Sequence, residues 1–537
     1  MASDRIEDAA GAGFRDVAEP FHMDSAAMSE AYWEVWNDDV QARIDADIEK
    51  YRKADAVFAV AAPDGAEVKI EQLTHDFLFG AHIFNFNQLG RKEWNDRYKA
   101  LYGAEDALFN SATVAFYWRT LEVYPFSPRF EERYEDTETF WNNCPDPMGQ
   151  PHWRRPAVDP VIGCLKTRGC HIHGHPLVWG NNACMFPTWL WDDFCPESEK
   201  TALEQASGVR IPTRDVPPPM GAQNMATGDR LCPEARTWSE AWTKIYARLP
   251  EEEIARLVPT FLRAQRDFYE KRIRDIAARY GSRVDSWDVV NESATDYDRF
   301  GRRAVRRKAF DASWYGPMPA DYAFNAFMWC QKYLPATARL DINEYDMGPF
   351  FDQVEDLAAN GARIDVVGSQ MHLFNPADST SISRGEFTEE TYAKTHPEGI
   401  PKRFDALAKA GRPIHLSEVT IAAPDPSPRG QMVQAILARN LYRAWFSTEK
   451  INGITWWNVV DGCGFPGEPS TSGLFTRDMR PKTAYWALED LVNHQWRTNL
   501  VVAAKDGKVS FRGFRGRYRL SWKGQDGNRC EKLVDLE

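Results

Sequence analysis

Between residues 77 and 462, runs rich in apolar, β-branched and aromatic residues alternate with segments of helical periodicity. The runs are FLFGAHI (77–83), ALFNSATV (107–114), HIHGHPLVW (171–179), VDSWDVVNE (284–292), ARLDINEYD (338–346), IDVVGSQMHL (364–373), IHLSEVTI (414–421) and GITWWNVVDG (453–462). Helical spacing fills most of the gaps, notably 251–280, 320–335, 402–410 and 430–447. Apolar strands with helices between them are buried on both faces, and eight of them predict an α/β fold, a parallel (β/α)8 TIM barrel. An open doubly wound sheet is the competing arrangement, but no Gly-rich phosphate loop follows the first strand.

The pattern changes at both ends. Residues 1–30 are small, acidic and patternless, and predict a flexible lead-in. From Glu30 to Tyr51, Tyr32, Val35, Trp36, Val40, Ile44 and Ile48 recur at helical spacing. AVFAVAAPDGAEVKIEQL follows, two alternating runs around Pro63-Asp64-Gly65 that read as a hairpin. VVAAKDG, KVSFRGF and GRYRLSWKGQDG alternate in the same way near the C-terminus. The expected division is lead-in 1–30, N-terminal helix and hairpin 31–75, catalytic barrel 76–492 and C-terminal strands 493–537, the outer pieces joining in one small accessory sheet. The Pro-rich stretch 192–236 is long for a connection and, following the third strand, belongs on the face where a barrel carries its chemistry.

A chain of 537 residues, 43% hydrophobic, has material for a barrel and additions, which excludes wholesale disorder. A formal charge of -13 argues against a nucleic-acid partner and gives no attraction to anionic membranes. Twenty tryptophans supply flat faces on which sugar rings stack, although tryptophan also fills cores. The nine cysteines contain no close CxxC pair. Free buried thiols are therefore the expectation, with one bridge among Cys184, Cys195 and Cys232 as the alternative. MASDRIEDAAGAGF is not a secretory leader, and no run approaches about 18 apolar residues. The expected location is secreted or periplasmic after loss of a leader, with the cytoplasm as alternative. The basic run Arg302 to Lys308 reads as a solvated face.

In a parallel barrel the reacting side chains come from the C-terminal ends of the strands. Polar residues there interrupt apolar runs: Asn291 and Glu292, Glu344, Gln370 and His372, Glu418, with His175 and Trp179 on the third strand and Trp457 and Asp461 on the eighth. Glycoside cleavage needs one carboxylic acid and one carboxylate on opposite sides of the bond. Glu292 and Glu418 are the candidate pair. A lone strand-end Glu reads better as a cap or ion pair, but two of them, with imidazole, amide and indole neighbours, favour chemistry. No close His or Cys set points to a metal, and no cofactor is expected.

GHPLVW, WDVVNE, INEYD, GSQMHL, LSEVTI and GITWWNVVDG, in that order, resemble the motifs of glycoside hydrolase family 10, the retaining xylanases, and LFTRDMRPKTAYWAL resembles that family's end. The resemblance spans about residues 75–492. It implies Glu292 as general acid/base and Glu418 as nucleophile, Asn291 on the sugar 2-hydroxyl, and His372 hydrogen-bonded to the nucleophile. It also implies His175, Trp179 and Trp457 around the cleaved bond, with Gln370 among the substrate contacts.

Several positions depart from the family pattern. Thr113 to Tyr117 replace a Glu-Asn pair, and Arg119 stands for a Lys that grips the next sugar. Gly180 and Asn182 replace a His and a Gln, Thr420 replaces the Asp that orients the imidazole, and Phe465 stands near a usual Trp. His372 without that Asp is less readily held protonated. The expected reaction is double displacement, with Glu292 kept protonated by burial and by the negative Glu418. The expected partner is a polysaccharide or oligosaccharide, xylan or a related β-glycan. The alternatives are a decorated or non-xylan glycan, oligosaccharides attacked from one end, and a non-catalytic carbohydrate-binding barrel. Oligomeric state is not legible.

Overall fold

The computed structural model describes residues 21–105, 107–122, 124–132, 137–142, 156–180, 185, 187–212, 233–294, 318–319, 321–345, 347–464 and 468–537. The chain enters through a short turn, Ser25–Ala27, capped by the Asp24 carboxylate, then a helix over Glu30–Val35 and another over Asp38–Arg52. The predicted single helix is broken because Asn37 leaves the helical conformation and caps the second, its side chain accepting from Val40 N. The end of the expected lead-in is also packed: Ala27 and Met28 are buried, and Ser29 N donates to Ser383 O. These helices lie on the last long barrel helix, Pro428–Ser447, where Asn440 Nδ2 donates to the Tyr32 hydroxyl and Arg443 pairs with Asp45.

Strands β1 (Lys53–Ala59) and β2 (Glu67–Gln72) come next. The barrel follows as β3 (Leu78–His82), β4 (Ser111–Ala115), β5 (His171–His175), β6 (Val178–Trp179), β7 (Ser286–Asn291), β8 (Arg339–Glu344), β9 (Val366–Leu373), β10 (Ile414–Ile421) and β11 (Ile451–Trp456). They run parallel in the order β5-β4-β3-β11-β10-β9-β8-β7-β6, and a β5–β7 pairing closes the ring. The third predicted strand is one run in sequence but two pieces in space, because Pro176 has no N–H to give the ladder. Helices Lys92–Ala100, Val158–Thr167, Pro259–Tyr280, Tyr322–Tyr333, Met347–Ala359, Gly399–Ala408, Pro428–Ser447 and Thr483–Glu489 alternate with the strands. This is a (β/α)8 TIM barrel.

The outer strands correct the hairpin expectation. β1 pairs antiparallel with β13 (Lys508–Phe514), whereas β2 lies between β12 (Asn499–Ala503) and β14 (Gly516–Lys523), with β15 (Arg529–Leu536) beyond. The link between β1 and β2 satisfies its backbone on C-terminal chain instead of across a turn: Val60 N donates to Gly507 O and Gly65 N to Ala504 O. Two accessory sheets result, sharing one small core around Val68, Ile70, Val509, Tyr518 and Leu520.

Most of the described part of 192–236 is helical. Glu197–Ser207 and Pro233–Tyr246 flank residues outside the described range, and Trp191, Trp238 and Trp242 pack together as a buried cluster. Trp118 is buried as well. Cys195 is a free thiol. Cys184, Cys232 and the basic run Arg302 to Lys308 lie outside the described residues. Among the described residues no helix is long and apolar enough to cross a membrane.

Candidate active site

Three local features aim side chains at the mouth of the barrel. The register of β10 slips between His415 and Glu418, so the consecutive Ser417 and Glu418 both reach Asn343 on β8. At the end of β7, Glu292 adopts φ 53, a left-handed conformation uncommon outside glycine, held by donation from its N–H to Asn343 O at 2.8 Å. Gly368 keeps β9 open for the same asparagine, since a Cβ there would stand 2.8 Å from Asn343 Oδ1.

The two candidate carboxylates share one hydrogen-bonded cluster. Glu292 accepts from Trp179 Nε1 and from Gln370 Nε2, each at 3.0 Å. Gln370 is also the register partner of Glu418 across β9 and β10. Glu418 Oε1 accepts from Asn343 Nδ2 at 2.7 Å, and its Oε2 lies 3.2 Å from His372 Nε2. Asn343 Nδ2 also donates to Asn291 Oδ1 at 2.8 Å, which fixes the amide orientation beside Glu292. On the far side His175 Nε2 stands 4.0 Å from Glu418 Oε1, while its Nδ1 is 2.7 Å from Asp288 Oδ2. Removal from water pushes the Glu418 carboxyl up to about 8; His175 and Asn343 pull it down, while the charges of Glu292 and Asp288 add to the rise. The sequence expectation put the extra proton on Glu292. Burial is deeper at Glu418, which is 5% exposed, and Glu292 is half-buried at the strand end.

His372 is held differently. Burial depresses its pKa to about 4, and its Nδ1 faces the Thr420 hydroxyl at 2.9 Å, a partner that carries no charge to stabilise an imidazolium. Around these groups stand rings. Trp457 lies edge-on to His175, with centroids 5.5 Å apart, and against Phe84 at 5.3 Å; Tyr117 joins Phe84 to His175 and Trp179. Phe374 stacks on His372 at 4.1 Å from the opposite side.

Residues 254–491 match the model of glycosyl hydrolase family 10. Over that stretch, less than half of the chain, the sequence is similar to that family. The match contains Asn291, Glu292, Asn343, Gln370, His372, Glu418 and Trp457 of the cluster just described, while His175 and Trp179 precede it. The chain is 22% identical over 239 residues to endo-1,4-beta-xylanase B of Thermotoga neapolitana, covering 42% of this chain and 61% of that relative. It is 33% identical over 128 residues to endo-1,4-beta-xylanase A of Halalkalibacterium halodurans, covering 23% and 30%. It therefore spans less than two thirds of the length of these curated relatives. The solved family-10 structure from Paenibacillus barcinonensis overlays with a TM-score of 0.46 at 18% identity, covering 78% of this chain and 96% of that one.

Within this barrel, Asn291, Glu292, His175, Trp179, Gln370, His372, Glu418 and Trp457 all meet at the mouth. Arg119 lies on the short helix Trp118–Leu121 directly after Tyr117. Asn182 and Phe465 lie outside the described residues. Glu344 is turned to the backbone: its carboxylate accepts from Ala294 N and Tyr345 N and pins the loop after β7. Asp461 likewise holds Lys482 and Gly473 N. Sequence reasoning missed Asn343 and Asp288. Asn343 sits beside the more conspicuous Glu344, and Asp288 lies inside an apolar run where a buried acid was itself the signal. Asp288 also approaches His173 and Asp341, three ligand-type groups with donor atoms within 4.8 Å of one another. They come from β5, β7 and β8, and no sequence spacing announces them.

Proposed function

We propose that the chain is a retaining glycoside hydrolase that cleaves β-glycosidic bonds of xylan or a related β-glycan by double displacement. One observation carries the reading: the carboxylates ending β7 and lying in β10 are tied into one cluster by Gln370, Asn343 and His372. Glu292 protonates the leaving oxygen, supported by Trp179 and Gln370. Glu418 attacks the anomeric carbon, the glycosidic C–O bond breaks, and a glycosyl ester forms. Esterification removes the Glu418 charge, after which Glu292 takes a proton from water and the ester is hydrolysed. Asn343 and His175 favour the charged form of Glu418 that the first step requires. In this reading Asn291 meets the sugar 2-hydroxyl, and His175 and Trp457 line the sugar at the cleaved bond.

Digestion of a glycan panel by wild type beside Glu418→Ala tests the reading, with hydrolysis expected from the first alone. Hydrolysis by neither leaves the non-catalytic binding barrel. A 2-fluoro aryl glycoside that traps the ester assigns the nucleophile, and label on Glu292 in place of Glu418 reverses the roles. A second reading, attack at a chain end, is favoured by the unequal walls. Phe84, Tyr117 and Trp457 are 2%, 7% and 6% exposed, whereas Phe374 opposite is 40% exposed. One uniform small product from a long oligosaccharide supports end attack, and mixed oligomers support internal cleavage.

A further inference from the structure

A ladder of hydrogen bonds descends through the barrel beneath Glu418. His175 Nδ1 and His173 Nε2 both meet Asp288 Oδ2, at 2.7 and 2.9 Å. His173 Nδ1 lies 2.8 Å from Ser286 Oγ, which lies 2.9 Å from His171 Nε2, and that nitrogen is 3.1 Å from Arg339 Nη2. Alternation along β5 puts 171, 173 and 175 on the inner face, and β7 and β8 supply the partners. Gly174 between them is required, because a Cβ there would fall 2.3 Å from the Trp287 ring.

One oxygen of Asp288 thus accepts from two imidazole N–H groups. An ionised carboxylate this deep, 2% exposed, needs a countercharge close by. The His173 ring faces Asp288 and Ser286 of β7, Asp341 and Arg339 of β8, His415 of β10, and His171 and His175 of its own strand. Burial holds His415 and His171 neutral, and Arg339 is turned to His171. His175 shares Asp288 at 2.7 Å and reaches Glu418 at 4.0 Å, while His173 stands between Asp288 at 2.9 Å and Asp341 at 3.8 Å. Burial opposes its charge, but Asp288 and Asp341 prevail and raise it. Burial likewise pushes Asp288 up, yet His173 and His175 hold it well below the ordinary carboxylate range. Asp341 is the weaker partner: its Oδ1 is buried with no hydrogen-bond partner, and burial lifts its carboxyl to about 7.

We propose that His173 is a positioning residue for the hydrolysis argued above. As the cation beneath Asp288 it keeps that carboxylate ionised, and Asp288 locks the His175 ring with Nδ1–H engaged and Nε2 turned to the nucleophile. The kinetic consequence rests on the hydrolase reading; the charge on His173 does not. In the full-length protein with 15N-labelled imidazoles, assigned with His175→Asn and His173→Gln, both ring nitrogens of His173 carry protons at pH 6.5. His175 carries a proton on Nδ1, donated to Asp288. A neutral His173 overturns the proposal whether or not the chain hydrolyses any glycan, and a metal ion in the His173, Asp288 and Asp341 triangle, by removing a ring proton, overturns it equally.

With an aryl β-glycoside, His173→Gln lowers kcat about tenfold or more with KM little changed. Its acid limb moves about one pH unit upward, because Asp288 without its cation takes up a proton sooner. Adding Asp341→Asn removes the competing carboxylate and returns the limb toward wild type. A His173→Gln profile that overlays wild type, or no return in the double variant, defeats the proposal. A wild type inactive on every glycoside defeats the functional reading instead, and the imidazole spectrum of wild type then decides this one.

Discussion

β10 of the barrel is buried at all eight of its positions, while β12 of the accessory sheet alternates exposed and half-buried residues along its five. Polar residues occur in both, with different meaning. In β12 the one polar side chain, Asn499, lies exposed to water and accepts in addition from Gln72 N. In β10, His415, Ser417, Glu418 and Thr420 have no water to face, and each is bonded to another barrel strand or lies against one. A strand covered on both faces tolerates polar groups only where neighbours satisfy them, so their presence marks chemistry or its support.

The contrast is sharpened most by Glu292→Ala. With a poor leaving group kcat/KM should fall about 10²- to 10⁴-fold, and the loss should shrink toward nothing with a dinitrophenyl leaving group. Equal loss across leaving groups would remove Glu292 from proton donation. Next in size is Glu418→Gln read by stability. The folded chain holds the Glu418 proton up to about pH 8, whereas an unfolded carboxyl releases it near 4.5, so raising the pH through that window favours unfolding. At about 1.4 kcal/mol per pH unit the effect reaches a few kcal/mol. The Tm of Glu418→Gln should therefore overtake that of wild type as melts move from pH 5 to pH 8, and parallel curves would contradict the buried charge.

Thr420→Asp tests the uncharged partner of His372. A carboxylate at Nδ1 should hold that imidazole protonated, stabilise ionised Glu418, and move the acid limb of kcat/KM downward by about one pH unit. The accessory sheet supplies the smallest effect and its control. Val501→Ser, at a position 58% exposed, should change stability by less than about 0.5 kcal/mol, whereas Ile70→Ala in the small core should cost about 2–5 kcal/mol in denaturant melts.

The eight barrel strands were legible because each is a continuous apolar run flanked by helical periodicity, and their ends carried Glu292, Gln370, His372, Glu418 and Trp457. The hairpin around Pro63-Asp64-Gly65 misled for a local reason: alternation and turn residues describe a strand pair but do not name its partner. β1 and β2 each found theirs more than 400 residues away. Asn343 was overlooked because a neutral amide beside an acid looks secondary until both its ends are seen to be bonded. The upward push on the Glu418 carboxyl was not legible because depth of burial belongs to the assembled mouth and not to the strand.

Strand and helix identity, the barrel, and which residue types stand at the strand ends followed from the order of the side chains, since period and burial pattern are local properties of the chain. Which of those residues touch followed only from closing the sheet. β5, β7, β8 and β10 had to come around one axis before Asn343 could bridge Asn291 to Glu418, and before His173 could stand under Asp288. Charge and protonation depend on distance and water exclusion in three dimensions, and linear spacing carries neither.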